Sequence, residues 1–157
     1  MTNVFISYSI EDRNLHLITL LLKHLRKNNF HVSVSTQWLD SHLEIANSDV
    51  FIGIITNNSN SIDYVVAEWQ IAKKNNIQDI LIVEDGVRVD ESGDISYIRF
   101  NRSNPQEAID KLFKINRTAA KTPQKKKNNN DTVPNVLIGV AVVAGIAALI
   151  SLLSKNE

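Results

Sequence analysis

A single carboxylate, Glu68, occupies a place in the sequence where a ligand-binding acid is expected. Residues 50–55 form a continuous apolar run, which is typical of a parallel strand covered on both faces. The turn-forming residues 56–61 follow, and Ser61 is a plausible N-cap of the next helix. Tyr64 and Glu68 then share one helical face. Glu68 is therefore predicted to lie over the carboxyl end of a strand, where open α/β sheets bind ligands; a solvated helix glutamate is the alternative.

A second group of polar residues follows the first apolar strand. Residues 4–12, VFISYSIED, pass from apolar residues into hydroxyl residues and then into an acidic pair. Two of these residues have a structural alternative, because either Ser9 or Asp12 could cap the first helix.

Composition excludes several classes of site. The chain has no cysteine, which removes disulfides, thiol nucleophiles and cysteine-based zinc sites. Its four histidines lack ligand spacing, so no metal site is expected. Residues 1–114 contain 11 Lys/Arg and 15 Asp/Glu, a net charge of −4, so nucleic acid is not an expected partner. The first loop also lacks a glycine-rich phosphate cradle, which argues against a dehydrogenase-type site.

The elements that must position these residues alternate between strand and helix. Strands are predicted at residues 4–8, 30–35, 50–55, 79–83 and 95–100. Helices are predicted at residues 11–28, 38–47, 62–74 and 106–115. The second of them is short or a turn, and its residues expected to pack are Trp38, Leu39, Leu43 and Ile45. This alternation implies an α/β fold with a flavodoxin-like five-stranded parallel sheet of order 2-1-3-4-5. The order puts the switch point between the loops that follow strands one and three.

The two polar segments together resemble a bacterial TIR domain (Toll/interleukin receptor-like), over about residues 3–115. The motif of its first strand is matched by Phe5, Ile6, Ser7, Tyr8, Ser9 and Asp12. The motif after a later strand is matched by Asn58, Ser59, Ser61, Val65 and Glu68, with Tyr64 where the family usually has tryptophan.

The resemblance implies cleavage of the nicotinamide–ribose bond of NAD⁺, which would be a substrate, with no cofactor required. It implies Glu68 as the catalytic carboxylate, stabilising an oxocarbenium-like ribose. The substrate-binding residues expected on the same basis are Ser7, Tyr8, Ser9, Asp12, Asn57, Asn58 and Tyr64. TIR active sites are often completed by a neighbouring protomer, so self-association or pairing with another TIR protein is also expected. A packing role for Tyr64 is the alternative to a ligand contact.

The C-terminal part of the sequence predicts attachment to a membrane. Residues 116–133 are polar and basic and are predicted to be a flexible linker. Residues 136–154, within a predicted transmembrane helix at 134–154, carry no charge and are just long enough to span a bilayer core. Only residues 155–157 follow. The basic residues before this helix predict a single-pass cell-membrane protein with a cytoplasmic TIR-like domain at 1–115.

Three functions fit these features. The first is a membrane-anchored NAD⁺ glycohydrolase or cyclase, with a role in prokaryotic antiphage defence implied by its relatives. The second is a non-catalytic TIR adaptor or nucleotide-sensing effector that oligomerises and acts at the membrane. The third is a nucleoside deoxyribosyltransferase-like enzyme, which the membrane tail disfavours. The loop between strands two and three is short and lacks glycine, unlike the loop often used for TIR–TIR assembly.

Overall fold

Five strands and the helices between them alternate along the chain, as the sequence predicts. The computed structural model describes residues 1–13, 15–35, 41–89 and 95–119. The strands are β1 (Asn3–Ser7), β2 (His31–Val34), β3 (Val50–Ile55), β4 (Gln78–Glu84) and β5 (Tyr97–Phe100). The helices are α1 (His16–Lys27), α2 (Ser41–Ala46), α3 (Ser59–Lys74) and α4 (Pro105–Ala119), with a 3-10 turn at Ile10–Asp12.

The strands form one parallel sheet of order β2-β1-β3-β4-β5, which confirms the predicted topology. In the centre of the sheet, Phe5 of β1 lies opposite Phe51 of β3, and Ser7 lies opposite Gly53. The first connection leads from β1 outward to β2, whereas β3 lies on the other side of β1. The direction of the chain therefore reverses between β1 and β3, and the switch point lies at their carboxyl ends.

Alternation along the strands gives each sheet face its own core. Val4, Ile6 and Ile52 belong to the core that also contains α1 and α4 residues such as Leu21 and Leu112. The residues between them face the other way, and the core there contains residues of α2 and α3. In this second core the rings of Phe5 and Phe51 stack with their centroids 6.0 Å apart. The α2/α3 face of the sheet is the one that receives Glu68.

Two helix starts differ from the prediction. The expected helix at 11–28 is divided, because Leu15 has an extended backbone and α1 begins at His16. Ser9 instead caps the 3-10 turn and accepts a hydrogen bond from the Glu11 N–H. The prediction that Ser61 is the N-cap of the next helix is wrong. Helix α3 begins at Ser59, and its N-cap is Asn58.

The short helix α2 is only partly as expected. Ile45 is fully buried, as predicted, but Leu43 is 74% exposed and its predicted packing is wrong. A helix of six residues can bury only one narrow stripe, and here Ser41 and Ile45 occupy it. The residues Trp38 and Leu39, which were expected to pack with them, lie outside the described residues.

The last helix continues beyond the predicted end of the domain. Because α4 extends through Ala119, it includes the first four residues of the predicted linker at 116–133. The remainder of that linker, the predicted transmembrane helix at 134–154 and the tail at 155–157 lie outside the described residues. Among the helices in the described ranges, none is both long and apolar enough to cross a membrane.

Candidate functional site

The buried stripe of α3 contains an acid. Ser61, Val65, Glu68 and Ala72 are spaced by four, three and four residues, and all four are buried against the sheet. Glu68 is only 1% exposed. A carboxyl group in that position loses its hydration, so it requires polar partners or a function that offsets the cost. Glu68 is thus not the solvated helix glutamate that the sequence left open.

A glycine beneath α3 lets the helix approach the sheet closely. A Cβ atom on Gly53 of β3 would lie 2.7 Å from Leu81 Cδ2 and 2.8 Å from Val65 Cγ1. Real Cβ contacts essentially never lie below 3.0 Å. Ser7 lies beside Gly53 in the sheet, so two small residues are neighbours on this face. Gly53 is therefore required for the close approach of Val65 on α3 to β3.

Glu68 is held by a chain of two hydroxyl groups. Ser35 Oγ donates to Glu68 Oε1 over 2.8 Å, and the Tyr64 hydroxyl is also hydrogen-bonded to Ser35 Oγ. Because Ser35 has one hydroxyl proton and donates it to Glu68, it must accept from Tyr64. The backbone of Ser35 is itself fixed, since its N–H donates to Ile6 O of β1 over 2.9 Å. The hydrogen bonds therefore run from Tyr64 to Ser35 to Glu68.

Burial raises the pKa of the Tyr64 hydroxyl. The hydrogen bond with Ser35 lowers this pKa in part, whereas the negative charge of Glu68 and hydrogen bonding to its carboxyl group raise it again. The phenol therefore stays protonated at neutral pH and remains a donor. Tyr64 is half-buried, so its hydroxyl can contact Ser35 while part of its ring lines the wall of the site.

Two buried polar atoms near the switch point have no hydrogen-bond partner among the described residues: Glu68 Oε2 and Ser7 Oγ. Both belong to the α2/α3 face of the sheet, since Ser7 alternates in phase with Phe5. Ser35 follows β2 on the same face, directly beside β1. An unpaired polar atom in a native interior needs an explanation, and a ligand hydroxyl is one that fits an acceptor. The carboxyl group is thus anchored by one oxygen and can use the other.

The other residues predicted for the site in the first loop make contacts that are mainly structural. Asp12 is buried, and its Oδ2 accepts a hydrogen bond from Thr56 Oγ1 over 2.8 Å, which ties the loop after β1 to the loop after β3. Ser9 caps the 3-10 turn. Tyr8 is half-buried and packs against the α1/α4 core, although it is near enough to Tyr64 to influence the pKa of that hydroxyl.

The two asparagines lie along the edge of the sheet toward β4. Asn58 Oδ1 accepts from the Asn60 N–H as the cap of α3. The backbone N–H of Asn57 donates to Glu84 Oε2 over 2.9 Å, and its side chain donates to Asp85 O. The structure therefore brings Tyr64, Glu68 and Ser7 to one face of the sheet, and it places Asn57 and Asn58 in a second cluster.

That second cluster contains an ion pair. Arg102, which follows β5, donates to both carboxyl oxygens of Glu84 over 2.7 and 3.0 Å. These hydrogen bonds, with a smaller contribution from the Asn57 N–H, lower the pKa of Glu84 against the opposing effect of burial. The pair joins the ends of β3, β4 and β5 at the carboxyl edge.

Sequence reasoning missed Ser35, Glu84 and Arg102. A usable signal existed for Ser35, because it ends the alternating segment 30–35 and so lies at the carboxyl end of a predicted strand. Within the described ranges, no group of three or more acidic or histidine residues could hold a metal ion. The chemistry that this arrangement can perform is electrostatic, because a fixed carboxylate stabilises positive charge that develops beside it.

The family model for the TIR domain matches residues 4–113 of the chain. The match includes both polar segments and every side chain of the Tyr64–Ser35–Glu68 chain. No curated protein matches the chain significantly.

Proposed function

This chain belongs to the TIR-domain family, and from that premise we propose that it cleaves the nicotinamide–ribose bond of NAD⁺ with Glu68 as the catalytic carboxylate. The observation that supports this most strongly is the state of Glu68. It is buried at the carboxyl edge of the sheet, one oxygen is anchored by Ser35, and the other has no partner in the described part of the chain.

The reaction suits a site of this kind. The nicotinamide ring of NAD⁺ is cationic before it departs, so the bond electrons return to a good leaving group and no strong acid is required. Positive charge then develops on the ribose, and a carboxylate beside it lowers the barrier. Water adds to the ribose carbon, which gives ADP-ribose, nicotinamide and a proton. A cyclised ADP-ribose product would arise from the same cation if an internal nucleophile captured it.

The wider setting is part of the same proposal. The uncharged segment 136–154 and the basic residues before it support a tether to the cytoplasmic side of the cell membrane. In that setting the protein would deplete NAD⁺, or make an ADP-ribose-derived signal, in antiphage defence. These finer statements rest on the sequence and on the resemblance to bacterial TIR domains.

The test is NAD⁺ consumption by the full-length protein in membranes or detergent, with products separated by chromatography. Wild type is compared with Glu68→Ala at low and at high protein density, because a neighbouring protomer can complete a TIR site. Glu107→Ala is the matched control, since Glu107 is also a helix glutamate but is 56% exposed. The proposal predicts turnover by wild type and the control, and loss in Glu68→Ala. No turnover by folded wild type at high density would favour the adaptor function.

A further inference from the structure

The hydroxyl of Ser35 lies where it can set the orientation of the Glu68 carboxyl group. This hydroxyl donates to Glu68 Oε1 from the end of β2, 33 residues earlier in the chain, and Tyr64 interacts with the same carboxyl group. Rotation about χ3, the last torsion of a glutamate side chain, has a broad energy minimum, so burial alone does not determine the orientation of the carboxyl group. A donor whose own position is fixed does favour one orientation.

The position of that donor is determined on two sides. The Ser35 N–H bonds to Ile6 O, which extends the pairing of β1 with β2 by one residue and fixes the backbone. The Tyr64 hydroxyl bonds to Ser35 Oγ and so directs the serine proton toward Glu68. Tyr64 lies one turn before Glu68 on α3, so the same helix supplies both ends of the chain.

We propose that Ser35 is a positioning residue: its hydroxyl, oriented by Tyr64, fixes the Glu68 carboxyl group so that Oε2 is presented to the substrate. This inference rests on the proposed function of Glu68. It assigns Tyr64 a hydroxyl role in addition to any contact of its ring with the substrate. A purely structural serine would only reduce the cost of burying an acid, and its removal would lower stability without a specific effect on turnover.

The test is steady-state kinetics on the full-length chain with NAD⁺, comparing Ser35→Ala, Ser35→Thr, Tyr64→Phe and Glu68→Ala. Ser35→Ala should lower kcat about 10- to 100-fold with little change in KM, because a misplaced carboxylate loses transition-state stabilisation. Ser35→Thr keeps the hydroxyl and should retain kcat within about threefold, and Tyr64→Phe should fall between the two. Ser33→Ala is the matched control and should match wild type, since Ser33 lies two residues before Ser35 and on the same face of the sheet.

Urea unfolding of each variant separates lost stability from lost catalysis. If Glu68→Ala is inactive but folded Ser35→Ala turns over like wild type, the positioning role is wrong and the proposed function survives. If Ser35→Thr is as impaired as Ser35→Ala, the hydroxyl is not what matters and the positioning role is again wrong. If Glu68→Ala retains turnover, or wild type has none, the proposed function fails and this inference fails with it.

Discussion

Gly53→Ala should destabilise the domain by forcing α3 away from the sheet. The new Cβ would lie 2.7 Å from Leu81 Cδ2 and 2.8 Å from Val65 Cγ1, whereas ordinary contacts begin near 3.4 Å. Both neighbours are buried and cannot turn toward solvent. Overpacking of this kind costs about 1–3 kcal/mol. Alanine also lowers the conformational entropy of the unfolded chain relative to glycine, which stabilises the folded state by about 0.4–1 kcal/mol. The unfolding free energy should therefore fall by about 1–2 kcal/mol in total.

Urea unfolding followed by circular dichroism measures this loss. With an m-value of about 2 kcal/mol/M, the midpoint should fall by roughly 0.5–1 M at unchanged slope. Val65→Ala removes the Cγ1 atom that the new Cβ would meet. The Gly53→Ala/Val65→Ala double variant should therefore be more stable, by about 1 kcal/mol, than the sum of the two single losses. A midpoint equal to wild type for Gly53→Ala, or strict additivity in the double variant, would refute the close approach of α3.

Two further predictions concern the loops at the carboxyl edge. Because the folded pKa of Glu84 lies below its ordinary value of 4.5, the stability from its pairing with Arg102 is present above that pH and is lost as pH falls through the lowered pKa. Glu84→Gln should lower the unfolding free energy by about 1 kcal/mol at pH 7, a modest figure because Arg102 is half exposed. The urea midpoints of wild type and variant should converge as the pH falls below the lowered pKa of Glu84. Thr56→Val removes the hydroxyl that donates to buried Asp12 and should cost about 2 kcal/mol in the same assay, whereas Thr56→Ser should cost much less; equal losses would contradict a role for that hydrogen bond.

The sheet could be predicted because its signals are local. The apolar run at residues 50–55 is β3 without change, and alternation of strands with helices is enough to imply parallel pairing. The place of Glu68 on α3 followed from its four-residue spacing from Tyr64. These inferences require only residues that lie close together in the sequence, and general rules on how parallel strands are connected.

The partners of Glu68 could not be predicted from the same signals. Ser35 lies 33 residues away, and its contact depends on how β2 and α3 meet in three dimensions. The Glu84–Arg102 pair likewise joins residues 18 positions apart across two loops. The predicted cap Ser61 failed for a similar reason: its hydroxyl accepts from the Thr56 N–H, so it serves the interior of the loop while Asn58 caps the helix.

The most direct test of the central claim is kcat for NAD⁺ cleavage by full-length Glu68→Gln beside wild type. Glutamine keeps the length of the side chain and an oxygen that can accept from Ser35, but it removes the negative charge. If the carboxylate stabilises the developing ribose cation, kcat should fall about 10²- to 10³-fold while the variant remains folded. Turnover by Glu68→Gln within a few-fold of wild type would contradict the assignment of Glu68.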